Sequence, residues 1–338
     1  MNKIRTGVVG VGHLGKIHAG LYREIKSAEL IGIFDIDKEK AKNVAEEMNI
    51  TAFSDINQLF EKAEAVNIVT PTSTHYEIAK QALDHDCHLF IEKPIMTDES
   101  EAEEILQISK KKNKVIQIGH IERFNPAVLA ISDVSIKPLF IEAHRLASFN
   151  PRGTDVAVIL DLMIHDLDLI LFLVKSKPVQ IDASGVGVIS KTLDIANARI
   201  QFESGCVANI TASRISAKKM RKMRLFQQNS YISIDFSEGF SEIYYIDAET
   251  LTFKNGTLAF SLGQIEEGNK RRDIKYNKLQ RENINPLKYE LGGFIESLQA
   301  NIPPLVSGEE GLEALKLANQ VLNKIEESTR KVKLEAAN

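Results

Sequence analysis

The 338-residue chain holds only two cysteines, Cys87 and Cys206, far apart and in no CxxC pair. That excludes a disulfide-stapled secreted fold and a thiolate zinc site, and it fits a reducing compartment. Neither charge is in excess: 42 basic and 46 acidic residues leave a formal net charge of -4, and the pI is about 6.1. A nucleic-acid or membrane-surface partner, which a strongly basic chain would suggest, is therefore not expected. The opening residues, MNKIRTGVVG, lack the apolar run and small-residue cleavage site of a secretory leader, so a cytoplasmic location is expected. The one stretch of membrane-spanning length, VILDLMIHDLDLILFLV from Val158 to Val174, carries Asp161, His165, Asp166 and Asp168. Three acids and a histidine rule it out as a span. There is no internal repeat and no low-complexity segment.

What is present is an ordinary globular composition, 43% apolar and 26% charged, in a length that implies two domains. Short apolar runs alternate with helical patterns in the first third. KIRTGVVG, LIGIFD, VNIVT, HLFI and VIQIG read as strands. Strands alternating with helices predict a parallel sheet. After about residue 121 the pattern changes. One helix covers Val158 to Val174, and strand-like runs then follow without helices between them, from Val179 to Ile246. Glu203-Ser204-Gly205 reads as a hairpin turn. The second sheet should therefore be antiparallel or mixed. Helices return with the Asn285-Pro286 cap and the capping-box spacing of Ser307 to Glu310. The polar stretch from Glu249 to Arg281 reads as turn-rich, with no element placed in it. The expected fold is an α/β N-terminal Rossmann domain, residues 1–121, and an α+β C-terminal domain, residues 122–338, with a large, open, mostly antiparallel sheet. The last helices are free to pack back on the first domain.

Gly10-Val11-Gly12-His13-Leu14-Gly15 follows a strand and opens a helix, the context in which GxGxxG cradles a pyrophosphate. Asp35 ends the next strand, placed to accept bonds from an adenosine ribose. Ile36 and Asp37 follow it, so a 2′-phosphate would meet acids; NAD is expected over NADP. Ligands on such sheets lie at the carboxyl ends of strands. That places Thr70-Pro71-Thr72, with His75 just beyond, along the cofactor edge. His75 by itself reads as a solvated surface residue. Glu92-Lys93-Pro94 ends another strand, where a lysine can reach into the cleft and Glu92 can hold it.

The polar groups of the buried helix need an explanation, because an unpaired buried charge costs several kcal/mol or more. Asp161, His165 and Asp168 fall within about 60° of one another on a helix, with Asp166 directed elsewhere. One reading is a general acid/base, His165, whose tautomer is set by Asp161 or Asp168. The other is a buried histidine neutralised by two acids. A metal site is not favoured, because no further His or Cys recurs nearby.

Together and in order, GVGHLG, TPTSTH (Thr70 to His75), EKP and DLMIH (Asp161 to His165) resemble the family of glucose-fructose oxidoreductase, inositol dehydrogenase and related sugar dehydrogenases. The resemblance covers essentially the whole chain. It implies that Lys93, Asp161 and His165 flank a substrate beneath the nicotinamide. It also implies that the second domain's sheet serves in a homodimer or homotetramer. GHIERFNP (Gly119 to Pro126) and VILDLMIHDLD look like members that oxidise a UDP-N-acetylhexosamine at the sugar 3-hydroxyl. Arg123 and Asn125 then become candidates for holding the substrate, an interdomain salt bridge being the alternative for Arg123. KKMRKMR (Lys218 to Arg224) reads as a solvated strand or subunit contact, or as a basic lip for a diphosphate. The rival functions are a dehydrogenase of a free polyol, aldose or inositol, and a non-catalytic NAD-binding sensor.

Overall fold

The structure, a computed structural model, describes residues 2–150, 156–246, 260–267 and 270–336. The chain divides into two compact units: Met1–Ile121 with Asn285–Leu315, and Glu122–Ile284 with Lys316–Asn338.

The first unit is built on five strands, β1 (Ile4–Val9), β2 (Ala28–Phe34), β3 (Ala65–Ile68), β4 (His88–Glu92) and β5 (Ile116–Gly119). They are ordered β2-β1-β3-β4-β5, and every pair is parallel. β3 and β5 are buried at every position, as expected of a sheet covered on both faces. Helices α1 (His13–Tyr22), α2 (Lys38–Met48), α3 (Ile56–Phe60), α4 (His75–Asp84) and α5 (Glu99–Lys112) connect the strands. Asp37, Asp55 and Asp98 cap α2, α3 and α5 by accepting backbone N–H bonds. The order reverses at β1, so the loops after β1 and β3 sit side by side. That is the switch point at which such sheets take ligands. A later helix, α8 (Pro286–Ala300), starts at the Asn285 cap and adds Leu291, Phe294 and Ile295 to the same core.

The second unit holds nine strands ordered β13-β14-β12-β11-β10-β6-β9-β8-β7. These are β6 (Phe140–Leu146), β7 (Pro178–Val186), β8 (Ile195–Phe202), β9 (Val207–Ser213), β10 (Met220–Gln227), β11 (Ser230–Asp235), β12 (Phe240–Ile246), β13 (Phe260–Glu267) and β14 (Lys270–Gln280). Every pair is antiparallel except β6 with β9. The β8–β9 turn is the one read from Glu203-Ser204-Gly205, with Gly205 at φ +85°. One face buries Ile141, Ala198, Ile210, Leu225 and Ile234. On the other face an aromatic ladder crosses five strands: Phe140, Phe226, Tyr231, Tyr244 and Tyr276 lie in register, with ring centroids 5.0–5.7 Å apart. Helices α6 (Pro126–Ala130) and α7 (Ile164–Val174) belong to this unit. The Ser307–Glu310 capping box is present in both directions and opens α9 (Gly308–Ala336).

Three elements differ from the sequence reading. β6 was not anticipated, because its buried face runs Ile141, Ala143, Arg145 and ends in a charge. The polar stretch from 249 to 281 contains the β13–β14 hairpin, whose apolar Phe260 and Leu262 are exposed and stand among charged residues; residues 249–259 lie outside the described residues. The helix expected from Val158 begins as a π turn, Ile159–Met163, before α7.

Candidate active site

The glycines of the first loop are required by their surroundings. Gly10 has φ +85°, and a Cβ there would come within 2.6 Å of the Val69 carbonyl oxygen. A Cβ on Gly15 would lie 1.9 Å from the Gly10 carbonyl oxygen. Gly12 is the N-cap of α1, with no side-chain cap and no acid in the first turn. His13 and Leu14 lie exposed beside it. An uncapped helix N-terminus behind a glycine turn fits a pyrophosphate, which the backbone N–H groups and the helix dipole would hold.

Asp35 lies beneath this loop, 8% exposed. Val11 N–H donates to its Oδ2 (2.8 Å), and Asp37 N–H donates to Oδ1 (3.0 Å). Lys40 Nζ lies 3.2 Å from Oδ2. Burial pushes the Asp35 carboxyl up, but the two N–H bonds and Lys40 outweigh it and hold the group below its usual range. The sequence reading checked only Ile36 and Asp37 for basic neighbours and so missed Lys40. The signal was available: Lys40 lies in the first turn of the helix that follows Asp35.

At the second edge, Thr74 Oγ1 donates toward Thr70 Oγ1 and the Pro71 carbonyl, 2.8 Å from each, tightening the Thr70-Pro71-Thr72 loop. His75 is not a solvated surface residue; it is 1% exposed. Its Nε2 lies 3.0 Å from the Thr70 carbonyl oxygen, and its Nδ1 lies 3.2 Å from those of Pro94 and Ile95. It staples two loops together rather than presenting an imidazole at the cofactor edge. Burial pushes its pKa down, against the pull of these carbonyls and of Glu92.

Glu92 ends β4, partly buried, and the Lys93–Pro94 peptide that follows is cis. Lys93 N–H donates to Glu92 Oε2 at 3.3 Å. His18, fully buried on α1, places Nε2 3.2 Å from Glu92 Oε1. The sequence reading did not single out His18. Its only signal was a histidine three residues after Gly15, on the buried face of α1.

In the second unit the four polar groups of the Val158–Val174 stretch divide two and two. Asp166 and Asp168 are each 1% exposed and ion-paired. Asp168 receives Arg123 Nε (2.9 Å) and a second guanidinium nitrogen (2.7 Å), while Phe172 lies under the guanidinium at 4.7 Å. Asp166 receives Arg145 Nε (2.7 Å) and a second nitrogen (3.0 Å). Arg145 also donates to Glu122 Oε1 (2.9 Å), as does Arg221. Burial pushes Glu122 up, but the two guanidiniums outweigh it and hold the carboxyl low. Asp161, in the π turn, and His165, in the first turn of α7, remain partly exposed.

This alters the role considered for Asp168, whose carboxylate is taken up by Arg123; Asp161 is left as the partly exposed acid on the His165 helix. Arg123 itself is 6% exposed and ion-paired, but its partner Asp168 lies in the same unit, so the bridge is not the interdomain one expected. Asn125 caps α6 through Oδ1, and its Nδ2 donates to Glu122 Oε2 and to the Phe236 carbonyl. Its polar atoms thus serve the fold rather than an open pocket. The basic strand is charge-matched: Lys222 pairs with Asp235, Arg224 with Glu142 and Arg221 with Glu122. Among the described residues no cluster of metal ligands occurs, and no helix is long and apolar enough to cross a membrane.

Residues 4–120 match the model of an oxidoreductase family with an NAD-binding Rossmann fold, and residues 142–238 match that of the GFO/IDH/MocA C-terminal domain. UDP-N-acetylglucosamine 3-dehydrogenase of Acidithiobacillus ferrooxidans is 38% identical, over 95% of this chain and 97% of that protein. A solved structure of that enzyme has a TM-score of 0.84 at 36% identity, covering 96% of this chain and 99% of the other. Myo-inositol 2-dehydrogenase of Thermotoga maritima is 25% identical over 98% of this chain and 99% of its own.

Proposed function

The chain belongs to the oxidoreductase family with an NAD-binding Rossmann fold and a GFO/IDH/MocA C-terminal domain, and from that premise we propose that it oxidises the 3-hydroxyl of a UDP-N-acetylhexosamine, UDP-N-acetylglucosamine foremost. That it is a dehydrogenase of a sugar or sugar-nucleotide alcohol follows from the family; the substrate and the residue roles are the proposal. The full-length likeness to UDP-N-acetylglucosamine 3-dehydrogenase carries it, being closer than the likeness to the myo-inositol enzyme.

Gly10, Gly12 and Gly15 would hold the cofactor pyrophosphate at the start of α1, with His13 and Leu14 alongside. Asp35 would take the adenosine ribose, and Thr70 to Thr72 would border the dinucleotide. When bound, the nicotinamide supplies the hydride acceptor. NAD is the proposed cofactor, because Asp35 is held as a carboxylate where a 2′-phosphate would approach. His165 takes the proton of the sugar hydroxyl as general base. Asp161 supports its basicity. Lys93 donates a hydrogen bond to the same oxygen and stabilises the negative charge that develops there as the proton leaves. Glu92 holds the Lys93 turn. Arg123 serves the reaction indirectly, by fixing α7 through Asp168.

The aromatic ladder and the exposed Leu139, Phe260 and Leu262 near it support self-association through the open sheet face, as a dimer or tetramer. The two free, buried cysteines suit a reducing compartment, and the cytoplasm is the proposed location.

The test is incubation of the purified protein with NAD+ and a panel of UDP-sugars, inositols and free aldoses, with a carbonyl trap drawing off the keto product. A rise in reduced-cofactor absorbance with UDP-N-acetylglucosamine supports the proposal. A rise with a free polyol or aldose alone, or no rise with any nucleotide sugar, overturns it.

A further inference from the structure

We infer that His18 is a positioning residue of the active site: it fixes the Glu92 carboxylate, and through it the turn that carries Lys93. This rests on the catalytic role proposed for Lys93.

His18 is completely buried among apolar residues of the first unit. A leucine would fill such a position without the desolvation cost of an imidazole, so the histidine needs polar partners to offset that cost. Asn67 bonds one nitrogen, and a carboxylate oxygen lies within ion-pair distance of the other. Asn67, 1% exposed on β3, donates from Nδ2 to His18 Nδ1 at 2.6 Å. Nδ1 is therefore the acceptor, and the proton resides on Nε2. That nitrogen faces Glu92 Oε1 at 3.2 Å. Phe90 meets the ring edge-on at 5.9 Å and restrains its plane.

The Glu92 carboxylate thus accepts from Lys93 N–H at Oε2 and lies 3.2 Å from His18 Nε2 at Oε1. Glycine at residue 119 leaves the carboxylate this place, since a Cβ there would come within 2.9 Å of Oε1. Asn67, His18 and Glu92 form a chain from β3 through α1 to the end of β4. It sets one orientation for the carboxylate next to Lys93 and ties that orientation to the helix whose N-terminus would hold the cofactor. Partners one step removed from a reacting group commonly alter activity by about 10- to 100-fold when removed.

The experiment compares His18→Leu, His18→Gln and Glu92→Gln in the full-length protein. The amide nitrogen of Gln replaces imidazole Nε2 as donor; Leu supplies volume alone. His18→Leu should lower kcat by about 10- to 100-fold, with KM for the nucleotide sugar and the calorimetric Kd for NAD+ within about threefold of wild type. His18→Gln should recover most of the rate. In a Glu92→Gln background, His18→Leu should add less than about threefold, because the two act as one unit. A kcat within about threefold in His18→Leu, no recovery in His18→Gln, or a full additional loss in the Glu92→Gln background would each overturn the inference. A second reading needs no His18 variant. The 15N spectrum of labelled wild-type protein should show His18 as the Nε2–H tautomer, responding to Glu92→Gln; the Nδ1–H tautomer, or no response, refutes it. Inactivity of the wild-type chain on every nucleotide sugar sinks the proposed function instead, and the tautomer then decides the role of His18 alone.

Discussion

Replacing Asp168 with asparagine separates the two roles that this acid could play on α7. In the structure it receives two nitrogens of Arg123 at 2.9 and 2.7 Å, with the Arg123 and Asp168 side chains 5% and 1% exposed. Asp168→Asn keeps the shape and removes the charge, leaving a buried guanidinium facing a neutral amide. Breaking a buried ion pair by removing one partner costs about 3–5 kcal/mol. For a unit of this size each kcal/mol lowers the melting temperature by about 2–4 °C, so the drop should be roughly 6–20 °C. Differential scanning calorimetry reads it. At a temperature where the variant is folded, the pH dependence of kcat/KM should match wild type, because His165 does not depend on this carboxylate. A melting temperature within about 2 °C of wild type, together with a displaced pH profile, would refute the reasoning and return Asp168 to the histidine.

His165→Ala should lower kcat by about two to four orders of magnitude with folding intact; an unchanged rate in a stopped-flow assay would move the base role to Lys93. Gly15→Ala forces a Cβ to within 1.9 Å of the Gly10 carbonyl oxygen, and the strain of about 1–3 kcal/mol should raise the calorimetric Kd for NAD+ roughly five- to 150-fold. Lys40→Ala should weaken NADP+ binding by about fivefold relative to NAD+, because Lys40 is the cation beside Asp35 that a 2′-phosphate would meet; an unchanged ratio of the two Kd values argues against that contact. Burial, reinforced by Lys114, pushes the pKa of His88 down to about 4, and its Nδ1 accepts from Val115 N–H at 2.9 Å. Its folded pKa lies below the unfolded value of about 6.5, so the stability it confers is present above pH 6.5 and is lost as pH falls toward 4. Urea titrations of His88→Gln should show a flatter decline across that window than wild type.

The parts of the site that were legible in the sequence are those built from local chain. GVGHLG, the acid at the end of β2, TPT and EKP each follow a strand directly, so their place at the carboxyl end of the sheet follows from strand and helix periodicity. What the sequence did not show was which polar residues find one another across distance. Asp161, His165, Asp166 and Asp168 look alike in a one-dimensional pattern, and ideal helical spacing grouped Asp168 with His165. The partners that sort them, Arg123 and Arg145, lie 45 and 21 residues earlier in the chain, one of them on a strand that its charges concealed. The π turn at Ile159–Met163 also departs from the 3.6-residue period on which that grouping relied. His18 and His75 were passed over or misjudged for the same reason: a single histidine carries no periodicity, and its meaning lies in carbonyls and carboxylates of other loops.

The central claim is that a hydride leaves the sugar C3 of a UDP-N-acetylhexosamine. The most direct measurement uses UDP-N-acetylglucosamine carrying deuterium at C3, incubated with the protein and NAD+, with the reduced cofactor analysed by mass spectrometry. The account predicts that the reduced cofactor carries the deuterium. Reduced cofactor formed without the label, or formed only from a free inositol or aldose, would contradict it.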